Sequence, residues 1–318
     1  MAEQPTIQSP ESDLARGLAE FRQGRKSLLP EFEIPTDDIP KEEQSGVCPE
    51  RLTAYNLEQI LKELDADTRI KDTGFLQSLT RDLNYYLKHG KTIPSYTLAA
   101  YETLSAVRSL GINLLGSNPE ELNTKINNPK SLKQLSITID NDLEQGKTKP
   151  GYASWPCRAL SAIRSLGINL PGLNPEELIT KINNDPSFIE QLTKDLNHDL
   201  EQSKTDCDYA SRACWTLSAI RSLGINSPGL NPEVFITMIN NDTSFIERLT
   251  EDLNNRLKPG KTDPNCAPYA CQTISAVRNI IDHYSALADE KEKAEATHKL
   301  QTAADRTGVP PRPEVKAF

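Results

Sequence analysis

Long hydrophobic runs are missing from this chain. No segment approaches the ~20 consecutive apolar residues that a membrane-spanning helix needs, so no transmembrane segment is expected. A basic excess is missing too: 45 Asp and Glu outnumber 36 Lys and Arg, for a formal charge of −9. That balance argues against a nucleic-acid partner, because neutralising phosphates takes clustered cations. The opening MAEQPTIQSPESDLARG lacks the basic-then-apolar pattern of a secretory signal. Six cysteines without such a signal read as reduced thiols in a cytoplasmic setting. HExxH and CxxC spacings and a GxSxG elbow are absent as well, and the four histidines read as surface residues. Gly-Lys-Thr and similar triplets around Lys91, Lys147, Lys204 and Lys261 do not make a phosphate loop, since no glycine stands six residues before any of these lysines. No catalytic residue, metal ligand or cofactor is assigned.

What the chain does have is a repeat. LSAVRSLGIN from Leu104 returns as LSAIRSLGIN from Leu160 and Leu217, and as ISAVRNIIDH from Ile274, at steps of 56, 57 and 57 residues. A fixed period of this size marks stacked structural units. The expected fold is all-α: a solenoid of four three-helix repeats of about 57 residues, drawn as a curved rod with a long C-terminal capping helix. Low hydrophobic content (36%) and a mean hydropathy of −0.55 suit an elongated body with polar tails. Three regions follow: a mostly disordered N-terminal arm over residues 1–47, a repeat domain over 48–288, and a polar helix end with a short tail over 289–318.

Within each unit the first helix starts at Asn-Pro-Glu (Asn118, Asn174, Asn231), a side-chain cap followed by proline at the first helical position. The second begins at signals such as Asp185-Pro186 and carries Phe188, Ile189, Leu192, Leu196 and Leu200 on one arc. It closes at Gly90, Gly146, Ser203 and Gly260. The third helix holds the repeated motif. Its apolar arc is too wide for one neighbour, so it is the inner element. It stops at Gly111, Gly167 and Gly224, where glycine accepts a left-handed conformation. In the last unit Ile281 replaces that glycine, so the helix continues toward Gly308, with Leu287 and Leu300 on its covering face. Cys157, Cys214 and Cys271 fill one column with Tyr101 and read as small buried side chains.

Arg108, Arg164, Arg221 and Arg278 form another column, and the second helices offer Asp82, Asp195 and Asp252. An Arg–Asp ladder inside the body is the expected pairing. Function is read from what differs between units. Trp155, Arg158, Arg212 and Trp215, near the start of the third helix, are residue types that anchor interfaces, and they are the candidate contacts for a protein partner. Lys91, Lys147, Lys204 and Lys261 form a possible edge for an acidic partner or for peripheral contact with anionic lipid headgroups. The leading reading is a non-enzymatic binding or scaffold protein; an enzyme with an unrecognised site is the alternative. The near-identical repeat, the asparagine-rich helix ends and the DEKEKAE stretch (289–295) resemble the helical-repeat effectors that intracellular bacteria deliver into host cells. That resemblance implies a host protein as partner and the host cytosol as location.

Overall fold

The computed structural model describes residues 49–116, 122, 125–227, 230–258 and 265–307, with side chains described between 56 and 286. The arm, Lys261 and the tail lie outside these residues. Twelve helices have described bounds: α1 (Pro49–Glu63), α2 (Ala66–Arg69), α3 (Thr73–His89), α4 (Pro94–Ser109), α5 (Pro129–Gln145), α6 (Ser154–Leu166), α7 (Pro175–Asn183), α8 (Pro186–Ser203), α9 (Cys207–Ser222), α10 (Pro232–Asn241), α11 (Thr243–Arg256) and α12 (Cys266–Thr307). No strand occurs among the described residues, so the fold is all-α.

Local chemistry sets the helix ends. Asn174 accepts from Glu176 N and Asn231 from Glu233 N, each with proline at the next position. Asp72, Asn128, Asp185 and Asp242 cap α3, α5, α8 and α11 in the same way, each worth about 1 kcal/mol. The stops at Gly111, Gly167 and Gly224 are left-handed, with φ of 62°, 67° and 66°. The next isoleucine N–H reaches back five residues, as in Ile168 N to Ile163 O, and its side chain is buried. The glycines that close the second helices work differently. Gly146 has an ordinary helical φ of −61°, and a Cβ there would sit 2.7 Å from the Phe188 ring. It permits close approach, not a left-handed turn. At the end of the chain, α12 runs without a break to Thr307, because Ile281 stands at the stop position. The covering face at Leu287 and Leu300 lies outside the described side chains.

The four repeats do not end as an open rod. The third helices, α4, α6, α9 and α12, each pack on the next, and α12 packs back on α4. Helix α1 of the first unit likewise lies against α10, α11 and α12 of the last. The hydrogen bonds repeat cyclically. Ser105 shares one with Ser165 (2.5 Å), Ser161 with Ser222 (2.6 Å), Asn279 with Ser218 (3.3 Å), and Ser275 with Ser109 (2.5 Å). In every case the first serine of one motif meets its neighbour's second serine position, which holds Asn279 in the fourth unit. The four inner helices therefore run parallel around one axis, and the first and fourth units are as much neighbours as any other pair. Leu104, Leu160, Leu217 and Ile274 are buried in equivalent surroundings, as are the three column cysteines and Tyr101.

The Arg–Asp ladder is not formed. Second and third helices of a unit are antiparallel, so the late aspartate of one lies level with the beginning of the other. The arginine stands about 13 residues further on, ~20 Å along the helix. Asp195 instead accepts from Gly151 N and Ala153 N at the start of α6, and Asp82 accepts from Asn265 N before α12. Arg108 and Arg164 donate to the Ser165 and Ser222 carbonyls at the far end. Carboxylates thus face the positive ends of the inner helices and guanidinium groups the negative ends.

Closure is directly testable. With Ser109 and Ser275 replaced by cysteine, mild oxidation is expected to give an intramolecular crosslink across the first and last units. The long loop it closes corresponds to a stabilisation of up to about 5 kcal/mol on the chain-entropy account. A non-reducing gel and mass spectrometry that show only intermolecular disulfides would rule the ring out.

Candidate functional site

Positions along the inner helices fall into layers around the axis. Toward the C-terminal end the layers repeat: Ser105, Ser161, Ser218 and Ser275, then Ala106, Ala162, Ala219 and Ala276. Toward the N-terminal end they do not. One layer carries Glu102, Arg158, Trp215 and Gln272; the layer above it carries Ala99, Trp155, Arg212 and Tyr269. All of these residues but Gln272 line a cavity of about 380 Å³ at the mouth of the ring, joined by Tyr96, Asp208 and Arg256. Deeper in, the axial space shrinks to about 70 Å³ between the serines and alanines. All four residues singled out from unit-to-unit differences, Trp155, Arg158, Arg212 and Trp215, therefore meet in one place.

The planar groups are stacked and their charges are held from behind. Arg158 donates to Glu102 at 2.7 Å, and its guanidinium carbon lies 4.6 Å from the Trp215 ring centre and 5.6 Å from that of Trp155. Arg212 lies over Tyr209 (4.7 Å) and is paired with buried Asp199 at 3.2 Å. Arg256 lies over Tyr269 (5.0 Å), with Asp252 behind it at 2.7 Å and Asp208 beside it. A buried relay fixes Trp215: its indole N–H donates to Thr273, Thr273 shares its hydrogen between Ser211 and Tyr269 O, and Ser211 donates to Asp252. Every group here is positioned by a second one, which is what holds a recognition site in shape.

Electrostatics follow from burial. Desolvation pushes the Glu102 carboxyl up while Arg158 pulls it back down, and the same opposition acts on Asp252 from Arg256. Asp199 is raised from an ordinary 3.8 to about 6, burial outweighing Arg212. Burial also pushes the Cys157, Cys214 and Cys271 thiols up, so they stay protonated and poorly nucleophilic at neutral pH.

The lysine edge is separate from the mouth cavity. Lys147 pairs with Glu144 (2.8 Å) and Asp185 (3.3 Å), and Lys204 pairs with Glu201 (3.0 Å). Lys91 is exposed. Among the described residues, the ligand atoms of Asp206, Cys207 and Asp208 come together at the start of α9. Asp206 already caps that helix and Asp208 already holds Arg256. No helix among the described residues is long and apolar enough to cross a membrane.

Sequence reasoning passed over Glu102, Ala99 and Tyr269. Aligning the four motifs five and two residues upstream of their leading Leu or Ile exposes all three. Arg256 comes from a second helix, outside that alignment, and only the fold brings it in. No family model, curated protein or solved structure matches the chain.

The raised Asp199 makes a pH prediction. The folded protein holds this proton more tightly than the unfolded chain, so the group's contribution to stability falls as pH rises from about 4 to about 6, by up to about 3 kcal/mol. Thermal melts across that window are expected to show a shallower decline for Asp199→Asn than for the wild type. Parallel curves would refute the assignment.

Proposed function

We propose that this chain is a non-enzymatic binding protein that docks a partner protein at the axial mouth. The observation that carries the reading is convergence: Trp155 and Arg158 on α6 and Arg212 and Trp215 on α9 line a single cavity. Tryptophan and arginine in a partly desolvated pocket are the residues most often found to dominate binding energy. The lining residues include no histidine or cysteine, and their carboxylates are engaged in orienting arginines, which favours recognition over proton transfer. The lysine-edge alternative, peripheral contact with anionic lipids, is weakened by the ion pairs that already engage Lys147 and Lys204. In the setting implied by the effector resemblance, the partner is a host protein met in the cytosol.

The test is affinity capture on the immobilised full chain from a eukaryotic and a bacterial lysate. A protein retained by the wild type and by Lys147→Ala/Lys204→Ala is expected to drop at least tenfold on Trp155→Ala/Arg212→Ala. A captured set indifferent to the mouth variant, or lost only with the lysine variant, would overturn the assignment.

A further inference from the structure

We propose that the group received by the mouth is an arginine side chain presented by the partner. This rests on the mouth being a protein-docking site.

The ring layer at the mouth carries three large planar side chains, Trp155, Arg212 and Tyr269, and in the fourth equivalent position only Ala99. A quarter of an otherwise bulky layer is therefore open, with room for one flat side chain. One turn deeper on the same helix, Glu102 uses a single oxygen. Oε2 accepts from Arg158, while Oε1 is buried and has no partner. Gln272 repeats the pattern: its Nε2 donates to Thr103, and its Oε1, on a residue 6% exposed, has none. Glu102 lines the mouth cavity, and both side chains line the narrower axial space that continues beneath it. Buried acceptors left unmatched cost roughly 1–3 kcal/mol each, and a donor that reaches both recovers that cost.

The donor must offer at least two N–H groups and lie flat against aromatic rings. Indole and phenol offer one donor each. An ammonium offers three but has no planar face. A guanidinium carries five in a rigid fork and stacks on aromatics. Charge points the same way. The guanidinium groups of Arg158, Arg212 and Arg256 stand against four carboxylates, Glu102, Asp199, Asp208 and Asp252, which leaves one negative charge unmatched. An incoming arginine balances it and repeats the packing that the three resident arginines already adopt on Trp215, Tyr209 and Tyr269.

Both tryptophans of the chain line the mouth, so intrinsic fluorescence of the full-length protein reads the site. The probe is N-acetyl-arginine amide, compared with its lysine and citrulline counterparts and with inorganic phosphate. A saturable change with a Kd on the order of 1 mM is expected for the arginine probe, in keeping with one anchored side chain. The lysine and citrulline probes are expected to bind at least tenfold more weakly. Ala99→Trp, which fills the open quarter, should abolish the response while the Tm stays within about 2 °C. Glu102→Gln should weaken it about tenfold. An equal response to lysine, a stronger one to phosphate, no saturation with arginine, or undiminished binding by Ala99→Trp each overturns the proposal. If the arginine probe fails while Trp155→Ala/Arg212→Ala still loses its captured protein, docking stands and arginine recognition falls. If the probe binds but capture ignores the mouth, the partner-protein reading falls and this proposal falls with it.

Discussion

Four parallel helices meeting around one axis can approach closely only if the side chains between them are small. Serine and alanine recur at those positions in every unit, and the serine hydroxyls then find partners on the neighbouring helix. A buried hydroxyl without a partner is costly, so the contacts of buried Ser218 and Ser275 depend on the neighbouring helix arriving at the right height. The same pairing recurs around the whole ring. The contact between Ser275 and Ser109 is geometrically one more step of the same series, and with it the fourth unit finds the neighbour that an open stack would lack. Open repeat arrays need polar terminal units to shield their ends. Here α1 and α3 of the first unit meet α12 of the last, and the apolar faces cover one another.

Parallel arrangement has an electrostatic consequence. Four helix N-termini gather at one end and the C-termini of α4, α6 and α9 at the other, while α12 runs on to Thr307; isolated helices would leave a partial charge of roughly half a unit at each such end. Aspartates from the outer helices sit at the first end, and arginines from the adjacent inner helix sit at the second. The residues that suggested a ladder are thus matched to helix ends and not to one another. Arg221 and Arg278 depart from this pattern: Arg221 lies over the Tyr284 ring with burial lowering its basicity, and Arg278 pairs with Asp67.

Much of this architecture was legible in the chain. Period, helix boundaries, the left-handed stops and the long last helix all follow from local chemistry that a linear reading can apply. Closure was not legible, because nothing in Ser109 or Ser275 alone distinguishes contact with a following unit from contact with a first one. The aspartate partners were misjudged for a related reason: helix periodicity places Asp195 on a face but says nothing of its height against the antiparallel neighbour. Trp155, Arg158, Arg212 and Trp215 were legible as candidates because a repeat supplies its own control, each unit showing what the others would hold. Ala99 was not, since a small residue among large ones becomes informative only when the layer is known to surround a space.

Buried ion pairs are a poor way to stabilise a core, and apolar replacements are often as good or better. The serine and alanine layers show that this ring packs well without charge. Three arginine–carboxylate pairs nonetheless crowd into its mouth, each guanidinium laid on an aromatic ring and braced from behind. Stability does not explain that concentration; preorganisation does. Side chains already fixed on regular helices and tied through Thr273, Ser211 and Asp252 have little rotamer freedom left to lose when something binds. The free energy of a contact in the mouth then appears as affinity instead of being consumed in ordering the site.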